Sequence, residues 1–241
     1  MPTVTETVDQ QRLAALAERA LAFVGDDTVI GLGAGRAATA FVQALGARVR
    51  AGLRVRAVPA SQETAALARD LGIPVAGLGE SPLEVTIDGA DEVAPNLDLI
   101  KGYGGALVRE RVVAAAARRQ VILVGEDKLV DVLGRRGRLP VEVVPFALPL
   151  CRRRLEDLGC RPRLRMFRDR PFVTDNGNVI LDCAVDPIPD PPALERSLRA
   201  VPGVLDTRSV PRHRRHRARR RRQDRSRAAT TTLPRLTRRT P

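Results

Sequence analysis

Residues 28–38 read Thr28-Val29-Ile30-Gly31-Leu32-Gly33-Ala34-Gly35-Arg36-Ala37-Ala38. Thr28-Val29-Ile30 is a short apolar strand, Gly31 to Gly35 a glycine-rich turn, and Ala37 to Leu45 a helix. Strand, glycine turn and helix in that order open a parallel α/β sheet. Upstream, residues 9–24 carry Leu13, Leu16, Ala17, Ala20 and Phe23 at helical spacing. Downstream, Leu53 to Val58 reads as a strand, Gln62 to Leu71 as a helix stopped by Gly72, and Val85-Thr86-Ile87 as a strand ending in Asp88-Gly89-Ala90-Asp91. A loop, APNLDLIKGYGG, leads to a helix predicted over 106–119 and a strand over 120–124. This alternation predicts a doubly wound, mainly parallel, Rossmann-like three-layer domain over 1–133.

After Leu133 the texture changes. GRRGRLPVEVVPFALPL is punctuated by Pro and Gly, Cys151 to Leu158 looks helical, and Arg161 to Phe167 looks extended. Asn176-Gly177 between two β-rich runs signals a hairpin, and Pro192 to Ala200 a helix. A second, smaller α+β domain is expected over 134–207. The remainder, 208–241, reads as a disordered, Arg-rich tail.

Charge supports that division. The chain of 241 residues has a net charge of +13, and the segment 208–241, with 14 Arg and one Asp, carries all of it. Residues 1–207 are neutral, so the globular part shows no nucleic-acid signature. Of the 41 basic residues only Lys101 and Lys128 are lysines; a chain this rich in Arg keeps lysine where a compact point charge serves better than a guanidinium, or keeps these two by chance. No apolar run reaches membrane-spanning length, and the N-terminus has no basic region ahead of an apolar stretch, so no secretory signal is read. Three cysteines without a CxxC pair argue against a disulfide framework or a zinc site and for a reducing, cytoplasmic setting.

The glycine turn is not a dinucleotide fingerprint. GxGxxG would place glycine at 36, where Arg36 stands, and the acidic residue needed about 20 positions on is missing from 48–56, RVRAGLRVR. No GK[ST] follows either. A small phosphate held by backbone N–H groups and Arg36 suits the turn; so do glycines present for packing alone. Asp88 and Asp91 stand at the C-terminal edge of the sheet, the usual ligand crevice of open α/β folds, although Asp beside Gly also serves as a loop cap. Glu110 has Ala106, Leu107, Val113 and Ala114 as its helical neighbours, and no opposite charge among them to pair with. Desolvation there would raise its pKa and improve it as a base, while a solvent-facing Glu would look the same. A carboxylate base, two lysines and a phosphate cradle suit proton transfer between adjacent carbons of a sugar phosphate, which needs a base and a cation for the enediolate oxygen but no redox cofactor.

The runs GLGAGRAA, IDGADEV, IKGYGGALVRE, VGEDKL, LPVEVVPFA, FVTDNGNVILDC and VPGVLDT, in this order across about 20–207, resemble ribose-5-phosphate isomerase type A. The resemblance implies interconversion of D-ribose 5-phosphate and D-ribulose 5-phosphate in the pentose phosphate pathway, without metal or cofactor, by a cytoplasmic homodimer or homotetramer. It implies Glu110 as the proton-shuttling base, with Asp88 and Lys101 as its catalytic partners. Ala34, Gly35, Arg36, Ala37, Asp88, Gly89, Ala90, Asp91, Lys101, Gly102, Tyr103, Gly104 and Lys128 would bind substrate. The alternatives are a non-catalytic sugar-phosphate-binding domain, or an inactive isomerase whose basic tail binds nucleic acid nonspecifically.

Two departures stand out. The family's GTGST loop is Gly33-Ala34-Gly35-Arg36-Ala37 here, without its hydroxyls, and Tyr103 replaces a glycine of KGGGG. The family ending, GLFLG and onward, is replaced by a tail with six aliphatic or alanine residues and no aromatic, too few to build a core. Codons for Arg208 to Arg222 can be chosen so that dropping the first base yields GLFLGIADTVLVGD, which points to a frameshift near codon 207. A DNA sequence there that cannot be shifted into GLFLG refutes it. As written, the tail would meet nucleic acid only incidentally, through phosphates.

Overall fold

The computed structural model describes residues 4–79, 81–207, 209–210 and 227–232. Along the chain run α1 (Val4–Leu21), β1 (Thr28–Leu32), α2 (Arg36–Arg50), β2 (Val55–Pro59), α3 (Gln62–Asp70) and β3 (Leu83–Gly89). Two short strands, β4 (Glu92–Val93) and β5 (Leu99–Ile100), precede α4 (Leu107–Ala116), which passes directly into β6 (Ala117–Val124). Then come β7 (Arg138–Val143), α5 (Leu148–Asp157), β8 (Arg161–Leu164), β9 (Met166–Phe167), β10 (Arg170–Pro171) and β11 (Val179–Ala184). The last elements are α6 (Pro191–Arg199), β12 (Val204–Thr207), β13 (Ser209–Val210) and β14 (Arg227–Thr232).

One unit contains Met1–Gly89 and Glu110–Glu126. Its sheet has the order β14-β6-β3-β1-β2, and β1, β2, β3 and β6 are parallel. Helix α2 lays the stripe Ala38, Phe41, Val42 and Leu45 into the core, where Ile30, Leu32, Val85, Ile87, Val121 and Leu123 are also buried. Ser61 caps α3 by accepting the Thr64 N–H at 3.0 Å. The helix expected over 106–119 ends at Ala116 instead. Ala117 to Arg119 belong to β6, in register with Leu83 to Val85 of β3, so sheet pairing overrides the helical preference of Ala and Arg.

The other unit contains Ala90–Arg109 and Asp127–Arg212. Its main sheet has the order β12-β7-β11-β8 and is antiparallel. The predicted hairpin is present: Gly177 donates to the Thr174 carbonyl at 2.9 Å and Val173 bridges Val179. Segment 90–109, expected in the first domain, is built into this unit, because Ala94 and Ile100 are buried in one core with Leu139, Val141, Val143, Cys151 and Leu181. The chain therefore crosses between units at Gly89, Arg109 and Glu126 rather than once near Leu133.

Of the tail expected to be disordered, two pieces are described. Ser209–Val210 pairs with β5, and β14 lies antiparallel on β6 with Arg227 opposite Val124 and Thr232 opposite Arg119. For these eight residues paired backbone replaces the expected disorder, and the rest of 208–241 lies outside the described residues. No helix among the described residues is long and apolar enough to cross a membrane.

Candidate active site

In the first unit the glycine turn is shaped by what lies against it. A Cβ on Gly31 would meet Val113 Cγ1 at 2.4 Å and Thr86 Oγ1 at 2.6 Å, and one on Gly33 would meet Asp88 Oδ1 at 2.1 Å. These two glycines let α4 and the Asp88 side chain approach β1, so packing is their reason. Gly35 differs. It has φ 82° and ψ −177°, a region essentially closed to other residues, and nothing lies within 4 Å of where its Cβ would stand. It caps α2 without any side-chain cap bond, and Arg36, exposed, begins the helix. The turn is anchored at Gly33, whose N–H donates to the Ile87 carbonyl at 2.8 Å and whose carbonyl accepts the Thr64 hydroxyl at 3.0 Å.

Asp88, only 1% exposed, ends β3 beside this turn and accepts the Gly89 N–H on Oδ1 at 2.8 Å. Gly89 leaves room for the Ala37 methyl, which a Cβ would meet at 3.3 Å. Asp88, Gly89 and the 33–37 turn thus form one edge. Glu110, 5% exposed, sits in the first turn of α4, so the burial anticipated from its apolar neighbours is found. A cleft of about 320 Å³ is lined by Gly35, Thr39, Glu63, Thr64, Leu67 and Asp70, but it shares only Gly35 with the candidates, and its Glu63 and Asp70 carboxylates would repel a phosphate.

In the second unit, Lys101 follows β5 and is 3% exposed. The loop after it is held from several directions. Asp91 Oδ2 accepts the Tyr103 N–H at 3.0 Å. The Tyr103 hydroxyl donates to the Arg138 carbonyl at 3.1 Å, and the Arg138 guanidinium lies over the Tyr103 ring at 4.7 Å. Arg165 donates to the carbonyls of Gly102 and Tyr103 at 3.2 and 3.1 Å. Both arginines fork onto Asp182. Burial, reinforced by the Glu92 and Asp91 carboxylates, pushes the Tyr103 hydroxyl pKa up to about 12. Tyr103 therefore fills and ties down its loop, while Gly104 beside it is exposed.

Ala90 follows Gly89 and is half-buried. Lys128, in a 3₁₀ turn after β6, pairs with Asp127 at 3.5 Å. Glu92 accepts the N–H groups of Gly134 and Arg136, each at 2.7 Å, and so anchors that loop. Sequence reading missed Arg138, Arg165, Asp182 and Glu142. The only signal was a lone Glu in the apolar run Pro140-Val141-Glu142-Val143-Val144, which alternation assigns to solvent and the structure buries completely.

The sequence pattern of ribose 5-phosphate isomerase A (phosphoriboisomerase A) matches residues 56–212. The ribose-5-phosphate isomerase A of Roseiflexus sp. (strain RS-1) is 53% identical over 195 residues, spanning 78% of this chain and 83% of its own. That of Thermomicrobium roseum is 50% identical over 190 residues, spanning 78% and 80%. The solved structure of the Methanocaldococcus jannaschii ribose 5-phosphate isomerase A superposes with a TM-score of 0.80 at 38% identity, over 83% of this chain and 90% of that one. A D-ribose-5-phosphate isomerase in complex with phospho-erythronic acid does so at 0.79 and 38%, over 83% and 89%. With sequence and fold agreeing over most of its length, the chain belongs to the ribose 5-phosphate isomerase A family.

Proposed function

We propose that this isomerase interconverts D-ribose 5-phosphate and D-ribulose 5-phosphate through an enediolate, with Glu110 as the base. The Glu110 carboxylate takes the proton from C2 of the open-chain aldehyde, and the electron pair moves through C1 to leave charge on O1. Lys101, whose ammonium is a compact charge on a buried side chain, offsets that charge. Glu110 then returns its proton to C1 while the O2 proton passes to O1, leaving the ketone at C2. Asp88 and Asp91 hold the sugar hydroxyls, with Gly89 and Ala90 between them. Backbone N–H groups of Ala34, Gly35, Arg36 and Ala37, with the Arg36 side chain, take the phosphate. Gly102, Tyr103, Gly104 and Lys128 complete the substrate contacts. The enzyme is read as a cytoplasmic homodimer or homotetramer.

The observation that carries this reading is a carboxylate, Glu110, buried in the first turn of α4 of a chain 53% identical to a ribose-5-phosphate isomerase A. The test is ribulose 5-phosphate formation by the 241-residue chain and by Glu110→Gln. Turnover that disappears in the variant is expected; equal turnover in both removes Glu110 from the mechanism. Phospho-erythronic acid, whose carboxylate imitates the enediolate, is expected to compete with substrate.

A further inference from the structure

Val108 and Arg109, at the start of α4, are gripped by residues of their own unit. Glu142 of β7, fully buried, accepts the Thr174 hydroxyl and the Asn178 side-chain amide on Oε1, both at 2.9 Å. Its other oxygen, Oε2, faces the Val108 N–H at 3.4 Å. A helix leaves its first N–H groups without intrahelical acceptors. Here a carboxylate from a neighbouring strand stands at that position, where negative charge also suits the helix dipole. Arg109 completes the grip from the surface: Nε donates to Asn176 Oδ1 at 2.8 Å, Nη2 to the Asp175 carbonyl at 2.9 Å, and Nη1 lies 3.6 Å from the Asp175 carboxylate. The hairpin turn 174–178 is itself closed by Thr174 and Asn178. Val108 and Arg109 thus hang on one turn, and Glu110 is the next residue along the helix.

We propose that Glu142 and Arg109, with the 174–178 turn, are positioning residues that set the roll of α4 and so aim the Glu110 carboxylate; this rests on the reading of Glu110 as the base. A helical side chain reaches roughly 5–6 Å from the helix axis, so a roll of about 10° displaces the carboxylate by about 1 Å. Misplacement on that scale can cost on the order of 100-fold in rate.

The experiment compares Arg109→Ala, Asn176→Ala, their double variant, Glu142→Gln and Glu110→Gln in the full chain. It measures kcat and KM for ribose 5-phosphate, and the calorimetric stoichiometry of phospho-erythronic acid, which counts competent sites. Arg109→Ala is expected to lose about 10-fold or more in kcat per competent site, with KM within about twofold. The double variant should lose no more than the worse single, because both remove one contact. Glu142→Gln should lose at least as much; if it fails to fold, the two surface variants still decide. A kcat per competent site equal to the parent's in Arg109→Ala, or a loss that only follows the stoichiometry, overturns the positioning role. Full turnover in Glu110→Gln overturns the underlying reading instead, whatever the other variants do.

Discussion

Replacing Gly33 by alanine tests the arrangement of Asp88 most directly. The added methyl would stand 2.1 Å from Asp88 Oδ1, 2.3 Å from Cγ and 2.6 Å from Cβ. Ordinary contact begins near 3.5 Å, so the two groups must separate by about 1 Å or more. Retreat of the backbone is blocked, since β1 and β3 pair from Ile30–Val85 to Leu32–Ile87 and Asp88 is itself in register with Ile122 of β6. The carboxylate must rotate and give up the Gly89 N–H. Overpacking costs about 1–3 kcal/mol, and losing a hydrogen bond to a buried charge about 1.5–3 kcal/mol more. For a chain of this size a loss of about 3–5 kcal/mol lowers the melting temperature by roughly 10 °C. Gly35→Ala is the comparison: it meets no atom, and its positive φ alone costs about 1–3 kcal/mol. Thermal unfolding by circular dichroism, with ribulose 5-phosphate formation on the same samples, reads both effects. Gly33→Ala should melt below Gly35→Ala and lose at least about 10-fold in kcat, since its displaced group is Asp88. A Gly33→Ala protein that melts within about 2 °C of the parent and turns over at the parental rate would refute the reasoning.

Tyr103 is the one tyrosine in a chain without tryptophan, so the ultraviolet absorbance of tyrosinate titrates it alone; the midpoint should fall near 12, and one near the ordinary value of about 10 would mean that the ring is not buried. Because the folded pKa lies above the unfolded one, this group's contribution to stability is complete below the ordinary tyrosine range and declines as pH rises towards 12. Burial would raise the Asp182 carboxyl, but hydrogen bonds from Arg165 and Arg138 outweigh it and hold the pKa below the carboxylate range. Its stabilisation is therefore present above that range and lost as pH falls through the depressed value; Asp182→Asn should melt lower than the parent at neutral pH and converge with it in acid, and a constant gap down to acid pH would exclude the charge as the cause. Arg36→Ala should raise KM for ribose 5-phosphate by about 10-fold with little change in kcat, as expected for a charged hydrogen bond to phosphate; an unchanged KM removes that side chain from the phosphate site.

The parallel sheet was legible because its signals are local. Thr28 to Leu45 holds strand, glycine turn and amphipathic helix within 18 residues, and each observed element overlaps the predicted one. β7 was not legible, because Pro140 interrupts it. Among the described residues β12 pairs with Val141–Val143 and Pro140 pairs only with Asp182 of β11, a one-sided place that suits a residue without an N–H. The end of α4 was misread for a different reason: Ala117-Arg118-Arg119 is helical by preference and becomes strand through pairing with a segment more than 30 residues away. Glu110, Asp88 and Lys101 could be singled out from odd residues in their local setting. Asp182, Arg138 and Arg165 could not, since a charged residue on a strand implies no partner until the register places Asp182 opposite Pro140 and Arg163.

The near-exclusive use of arginine becomes intelligible from the bonds these side chains make. Arg109, Arg138 and Arg165 each engage more than one acceptor through a planar fork: Asn176 with the Asp175 carbonyl, both oxygens of Asp182, and Asp182 together with two loop carbonyls. An ammonium has no such fork, so lysine would hold these loops less firmly. The second unit's acids are matched to this work: Asp91 and Glu92 accept backbone N–H groups, and Asp182 joins two guanidinium groups. Tyr103 fits the same scheme, because its ring packs under Arg138 and its hydroxyl bonds the Arg138 carbonyl. It braces the loop that follows Lys101, and its half-buried hydroxyl has a satisfied hydrogen bond. Lys101 is a different kind of cation: nearly fully buried, and with Lys128 one of two lysines in a chain that otherwise builds with arginine. In the mechanism proposed above, its compact charge would meet one developing oxygen rather than grip two fixed ones.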